Sequence, residues 1–136
     1  MKRRVYAALV GSLVFFGAGL QVWAHHSFAA AFDMTKPISV QGTILQVRLE
    51  NPHSWFFLEV KAPDGKMEKW AFEAGTPSGM IRNGFKPNQI KTGTEVTIKG
   101  YPARDASQKM GMVQQIITAD GTTFGMFGAQ LGGQTR

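Results

Sequence analysis

Apolar residues fall at every second position in several short segments, and this period constrains the fold more than any other feature of the chain. A period of two predicts β-strands that each bury one face. Five strands are predicted, at residues 38–49, 55–60, 66–73, 94–101 and 110–119. In the first of them the apolar positions change parity, so we expect a bulge or bend near residues 42–44.

Turn-forming and helix-capping residues separate these strands. Asn51-Pro52-His53 and Pro63-Asp64-Gly65 predict turns, and Thr76 with Pro77 and a later Asn83-Gly84 predicts one short helix between the third and fourth strands. Three strands, a helix and two strands in this order are typical of the OB-fold, a five-stranded Greek-key barrel. We therefore predict an all-β domain with one short helix, folded as a small OB-like barrel. An open β-sandwich or roll is the alternative.

The first 24 residues have the order of a cleavable signal peptide. Positive charges within residues 1–4 precede an apolar run at residues 5–20, and small residues stand before a cleavage position after Ala24. The run is shorter than the roughly 20 residues that span a bilayer, which favours cleavage over a retained anchor. We therefore expect a periplasmic or secreted protein with no membrane span after cleavage. The predicted organisation is a signal peptide at 1–24, an amino-terminal arm at 25–36, a β-barrel domain at 37–120 and a glycine-rich tail at 121–136.

Charge and cysteine content disfavour some classes of protein. Three of the 15 lysines and arginines lie in the leader, so the exported chain carries 12 basic residues against 9 acidic ones, interspersed along the sequence. A nucleic-acid-binding protein keeps its basic excess on one face, so nucleic acid is a disfavoured partner. The chain has no cysteine, which excludes disulfides and thiolate chemistry. The domain must therefore be stabilised by its hydrophobic core.

Four segments together resemble one family of bacterial secreted proteins. They are His25-His26-Ser27-Phe28, Asn51-Pro52-His53-Ser54-Trp55, Trp70-Ala71-Phe72-Glu73-Ala74-Gly75-Thr76-Pro77 and Gly93-Thr94-Glu95-Val96-Thr97-Ile98-Lys99-Gly100-Tyr101-Pro102-Ala103. On these motifs the exported chain resembles, over nearly its whole length, the family catalogued as domain of unknown function 6152. The resemblance implies an exported bacterial domain, and it brings no activity, substrate or catalytic residue with it.

The three histidines suggest a metal site. Cleavage after Ala24 would make His25 the first residue, and its amine and ring Nδ1 could chelate one metal ion together. A second imidazole, from His53 in the predicted turn or from His26, would complete an all-nitrogen site of the kind that Cu(II) favours. The hypothesis is a copper site built on these three histidines. The alternative is that His25 and His26 are simply a polar start of the exported chain, and that His53 caps a turn or hydrogen-bonds to a strand end. Cleavage after Ala31 would remove His25 and His26.

Trp55 and Phe57 form a second candidate site, for a ligand rather than a metal. They share one face of the second predicted strand, opposite its even-numbered apolar positions. If the even-numbered side chains fill the barrel, these aromatic rings lie outside, where OB-fold strands stack on sugars or bases. The hypothesis is a planar ligand or a glycan stacked on this pair. The alternative is that the amino-terminal arm covers the rings, or that they belong to the core.

We recognise no catalytic constellation in the sequence. Ser54 adjoins His53, but neighbours on a strand point to opposite faces, so the two are poorly placed as nucleophile and base. Glu73, beside a turn, is the acid of most interest, although such residues are ordinarily structural. We therefore predict a non-enzymatic binding or interaction module whose partner is an unknown ligand or a periplasmic protein. A copper-binding protein and a ring-stacking module are the alternatives.

Overall fold

The computed structural model of the chain describes residues 29–125. Residues 29–31 are helical, and the strands follow in a separate compact unit that starts at Phe32. The elements of this unit are β1 (Ile38–Arg48), β2 (Trp55–Lys61), β3 (Met67–Glu73), α1 (Pro77–Arg82), β4 (Glu95–Pro102), β5 (Met110–Thr118) and β6 (Thr123–Gly125). The five predicted strands and the helix between the third and fourth are therefore confirmed.

The strands form one sheet that closes on itself. Its order is β3-β2-β1-β4-β5-β6, and β3 also pairs with β5. All neighbours are antiparallel except β3 and β5, which are parallel over residues 71–73 and 110–112. This last pairing joins the two ends of the five-stranded sheet. The closed barrel with a helix between β3 and β4 confirms the OB-like prediction, and closure leaves few unpaired strand edges.

A bulge lets β1 take part in both halves of the barrel. The amino-terminal half of β1 pairs with β4 and the carboxyl-terminal half with β2, and the β1–β2 register shifts between Ile44 and Gln46. The parity change is thus confirmed, one or two residues beyond its predicted place. Gly42 allows the close approach of β2, because a Cβ there would lie 2.6 Å from the carbonyl oxygen of Glu59.

The helix α1 begins and ends where its capping residues predict. Thr76 is the N-cap, and its Oγ1 accepts a hydrogen bond of 3.1 Å from the backbone N–H of Gly79. Pro77 occupies the first turn, and Gly84 follows the helix with a φ of +93°, which favours glycine. Met80 is fully buried, so this short helix adds one side chain to the barrel core.

The core consists of alternate side chains from every strand, with aromatic rings at its centre. The largest fully buried side chains include Phe56, Phe72, Leu58, Ile98 and Ile116. Among residues 29–125, no helix combines the length and apolar character needed to cross a bilayer.

The sixth strand, β6, was not predicted. Thr123–Gly125 lie in the stretch that the sequence assigns to a glycine-rich tail, yet they pair with β5 from Gln115 to Ile117. Phe124 is 7% exposed, and its ring meets Phe85 edge-to-face at 5.8 Å. Phe85 in turn meets Phe56 of β2 edge-to-face at 6.0 Å. This chain of three aromatic rings ties β6 to the barrel core.

Candidate ligand-binding face

Trp55 and Phe57, the two aromatic residues that the sequence predicts as a ligand site, lie on the outer surface of β2. Phe56 and Leu58 are fully buried, whereas Trp55 and Phe57 are half-buried on the opposite face of the strand. Since β2 pairs on both sides, with β1 and with β3, its backbone fixes where these rings project. The structure therefore places both rings on the outside of the barrel, as the parity predicts.

The two rings are stacked, and a guanidinium lies against one of them. The ring centroids of Trp55 and Phe57 are 6.4 Å apart, with 21° between their planes. Arg48, opposite Trp55 in the β1–β2 ladder, holds its Cζ 5.1 Å from the centroid of Phe57, within the range of a cation–π contact. The same guanidinium pairs with Glu50 at 3.1 Å, which balances its charge. The result is a continuous aromatic surface with a polar border on the β1 side.

A histidine and a glutamate form the border on the β3 side. Glu73 pairs with Trp55 in the β2–β3 ladder, and its Oε1 accepts a hydrogen bond from Nδ1 of His53. The side chain of His53 is 31% exposed and that of Glu73 is 15% exposed, so solvent reaches both. We call the surface of Arg48, His53, Trp55, Phe57 and Glu73 the aromatic face.

The position of the hairpin turn between β2 and β3 implies that His53 and Glu73 lie close together. A turn centred on Asp64 pairs residues that lie equally far on either side of it, which sets Trp55 opposite Glu73. His53 lies two residues before Trp55 and shares its parity, so it is a diagonal neighbour of Glu73. Both residues lie near turns that the sequence predicts, but their contact was not itself predicted.

The adjacent serine does not extend this pair into a catalytic dyad. Ser54 is fully buried and shares the inward parity of Phe56. Its backbone is bonded to that of Gly75 and Ala74, but its hydroxyl has no hydrogen-bond partner among the described residues. The side chain therefore points away from the surface that His53 occupies, as the alternation predicts.

The copper hypothesis involves residues that the structure does not describe. His25 and His26 lie outside residues 29–125, together with the predicted leader. Within the described part of the chain, no three His, Cys, Asp or Glu side chains form a group that could hold a metal ion. A copper site that uses His25, His26 and His53 stays a prediction from the sequence.

The fold defines this protein as a small closed β-barrel with an aromatic outer face. The family model described as a family of unknown function (DUF6152) matches residues 14–113, well over half of the chain. The chain therefore belongs to that family, which confirms the resemblance drawn from its motifs. No curated protein matches the chain.

Proposed function

We propose that the protein is an exported, non-catalytic binding module that takes a sugar ring on its aromatic face. The observation that carries the proposal is the stacked pair of Trp55 and Phe57, half-exposed on a strand whose other face is buried in the core. Such a pair offers a large, rigid contact area, and few side-chain rotamers are lost when a ligand binds to it. The outer face of strands 2 and 3 is also where OB-folds bind oligosaccharides.

The polar groups on either side of Trp55 suit the hydroxyls of a sugar. The ladders set Arg48 on one side of Trp55 and Glu73 on the other, so all three lie in one row across β1, β2 and β3. Adjacent strands are about 4.8 Å apart, so the two polar residues flank a ring stacked on the indole. Hydroxyl groups can accept hydrogen bonds from a guanidinium and donate them to a carboxylate. A sugar on the indole could thus hydrogen-bond to Arg48 on one side and to Glu73 on the other.

The charge of the aromatic face supports an uncharged ligand. Arg48 is paired with Glu50, and the carboxylate of Glu73 is in contact with the imidazole of His53, so each charged side chain already has a polar partner. A phosphate-bearing ligand would need a surplus of cations that this surface does not offer. The proposal therefore favours a neutral glycan over a nucleotide or a nucleic acid strand.

Calorimetric titration of the purified protein tests the proposal. The probes are neutral oligosaccharides of two to six units: β-1,4-linked glucose, β-1,4-linked N-acetylglucosamine and α-1,4-linked glucose. We expect at least one series to bind. Trp55→Ala should lower that affinity about tenfold or more, since loss of an aromatic stacking partner costs about 1–3 kcal/mol.

Trp70→Phe is the matched control. Trp70 is half-buried and stacks on Phe72 at 5.7 Å, so the substitution changes a tryptophan of similar burial on the neighbouring strand while keeping an aromatic ring in its place. Its affinity should stay within about twofold of the parent, a difference of roughly 0.4 kcal/mol. Two results would overturn the proposal: no binding by any oligosaccharide, or equal losses in both variants.

A further inference from the structure

A groove on the outer surface of the barrel continues the aromatic face. It has a volume of about 280 Å³ and is lined by Gln41, Gly42, Thr43, Glu59, Lys61, Met67 and Glu95. Glu59 and Lys61 follow Phe57 at alternate positions of β2, and they therefore project from the same face as the two aromatic rings. The outward side chains of β2 thus lead from the aromatic face directly into the groove.

The groove, like the aromatic face, combines an exposed apolar side chain with polar groups on either side. Met67 is 57% exposed, and it is one of only two large apolar side chains that are exposed among residues 29–125. Thr43 pairs with Glu59 on one side and with Glu95 on the other, so two carboxylates flank its hydroxyl in one row across β2, β1 and β4. An apolar surface bordered by hydrogen-bond acceptors is the arrangement that a second sugar ring would need.

The length of this surface along β2 suits several linked sugar rings and is greater than a single ring needs. At about 3.3 Å per residue, the six steps from Trp55 to Lys61 span about 20 Å. Ala71 lies opposite Phe57 in the β2–β3 ladder, so the side chain that faces the ring from β3 is only a methyl group. Lys69 lies directly opposite Glu59, so charges of both signs alternate here as they do beside Trp55. The whole strip therefore suits an uncharged linear ligand.

We propose that the ligand is an oligosaccharide chain that runs along β2, with one sugar ring on Trp55 and Phe57 and a later ring on Met67 in the groove. This inference rests on the proposed function and adds its ligand class, a linear chain of several units. It also assigns Met67, Thr43 and Glu59 to ligand binding.

Chain length and a groove variant together test the inference. Affinities are measured by calorimetry for the disaccharide and the hexasaccharide of whichever linkage binds, with the parent protein, Met67→Ala and Trp55→Ala. The hexasaccharide should bind the parent at least tenfold more tightly than the disaccharide. Met67→Ala should remove most of the tenfold difference between the two ligands, while its affinity for the disaccharide stays within twofold of the parent. Trp55→Ala should weaken the binding of both ligands.

Ile81→Ala is the control for Met67→Ala. Ile81 is the other exposed large apolar side chain among the described residues, with 50% of its surface exposed. It belongs to the helix α1 and not to the strands that line the groove. The Ile81→Ala variant should bind the disaccharide and the hexasaccharide with the affinities of the parent protein. Equal affinity of the parent for the two lengths, or a Met67→Ala variant that binds the hexasaccharide as the parent does, would overturn the extended site and leave the Trp55 site standing. If no length binds, both proposals fail.

Discussion

Replacement of Phe124 by alanine tests whether the unexpected sixth strand is part of the folded barrel. Phe124 is 7% exposed and packs edge-to-face on Phe85. Truncation of a buried phenylalanine to alanine costs about 3–5 kcal/mol, which includes the lost transfer energy and the cavity left behind. Because Phe124 lies on a three-residue edge strand that can relax around the gap, we expect the lower end of this range, about 3 kcal/mol.

Urea denaturation followed by tryptophan fluorescence measures this loss. A domain of ordinary stability has about 5–15 kcal/mol to lose, so the variant should still fold, with a lower midpoint and an unchanged slope. Thr123→Ala is the matched control: this neighbour in β6 is exposed, and its loss should cost less than about 0.5 kcal/mol. A loss below about 1 kcal/mol for Phe124→Ala would refute the reasoning, because β6 would then contribute little to the core.

Four further predictions concern single residues. Gly100→Ala should cost more than about 3 kcal/mol, since its Cβ would lie 1.8 Å from a backbone carbonyl oxygen of β5, and a small shift in urea midpoint would contradict this. Ser54→Ala should leave stability unchanged or raise it by about 1 kcal/mol, because it removes a buried hydroxyl without a partner among the described residues; a clear loss would show otherwise. The hydroxyl of Thr35, followed by its backbone N–H, lowers the pKa of Asp33 from 3.8 to about 2. The stabilisation from this carboxylate is present above pH 3.8 and lost as the pH falls through about 2, and an NMR titration of Thr35→Val should show a raised pKa for Asp33. Protein from a periplasmic extract should begin at His25 by intact mass and bind Cu(II); a retained leader would contradict the predicted cleavage after Ala24, and no copper binding would remove the metal hypothesis.

The barrel could be predicted because its local signals agree with one another. Period-two alternation gave the strands, Pro63-Asp64-Gly65 gave the β2–β3 hairpin, and Thr76 with Pro77 gave the start of α1. These signals act over a few residues, so they survive in a single sequence. The bulge in β1 was displaced by one or two residues, since parity shows that a switch occurs but not which residue leaves the ladder.

The features that the sequence did not reveal depend on contacts between distant segments. The strand β6 has only three residues within a glycine-rich stretch, too few to show a period. It forms because Phe124 packs against Phe85 and because the edge of β5 at residues 115–117 is open to pairing on that side. The groove beside the aromatic face likewise combines residues of four strands, from Gln41 to Glu95. Within the aromatic face, the outward position of Trp55 and Phe57 is the part that followed directly from alternation.

A chemical-shift map of the amide and indole resonances tests the central claim most directly, with the protein titrated by the hexasaccharide that binds most tightly in calorimetry. The account predicts that the largest shifts fall on the Trp55 indole and on the outward positions of β2, with His53 and Glu73 beside them. Shifts concentrated around α1 or β6, or a Trp55 indole that does not respond to a saturating hexasaccharide, would contradict it.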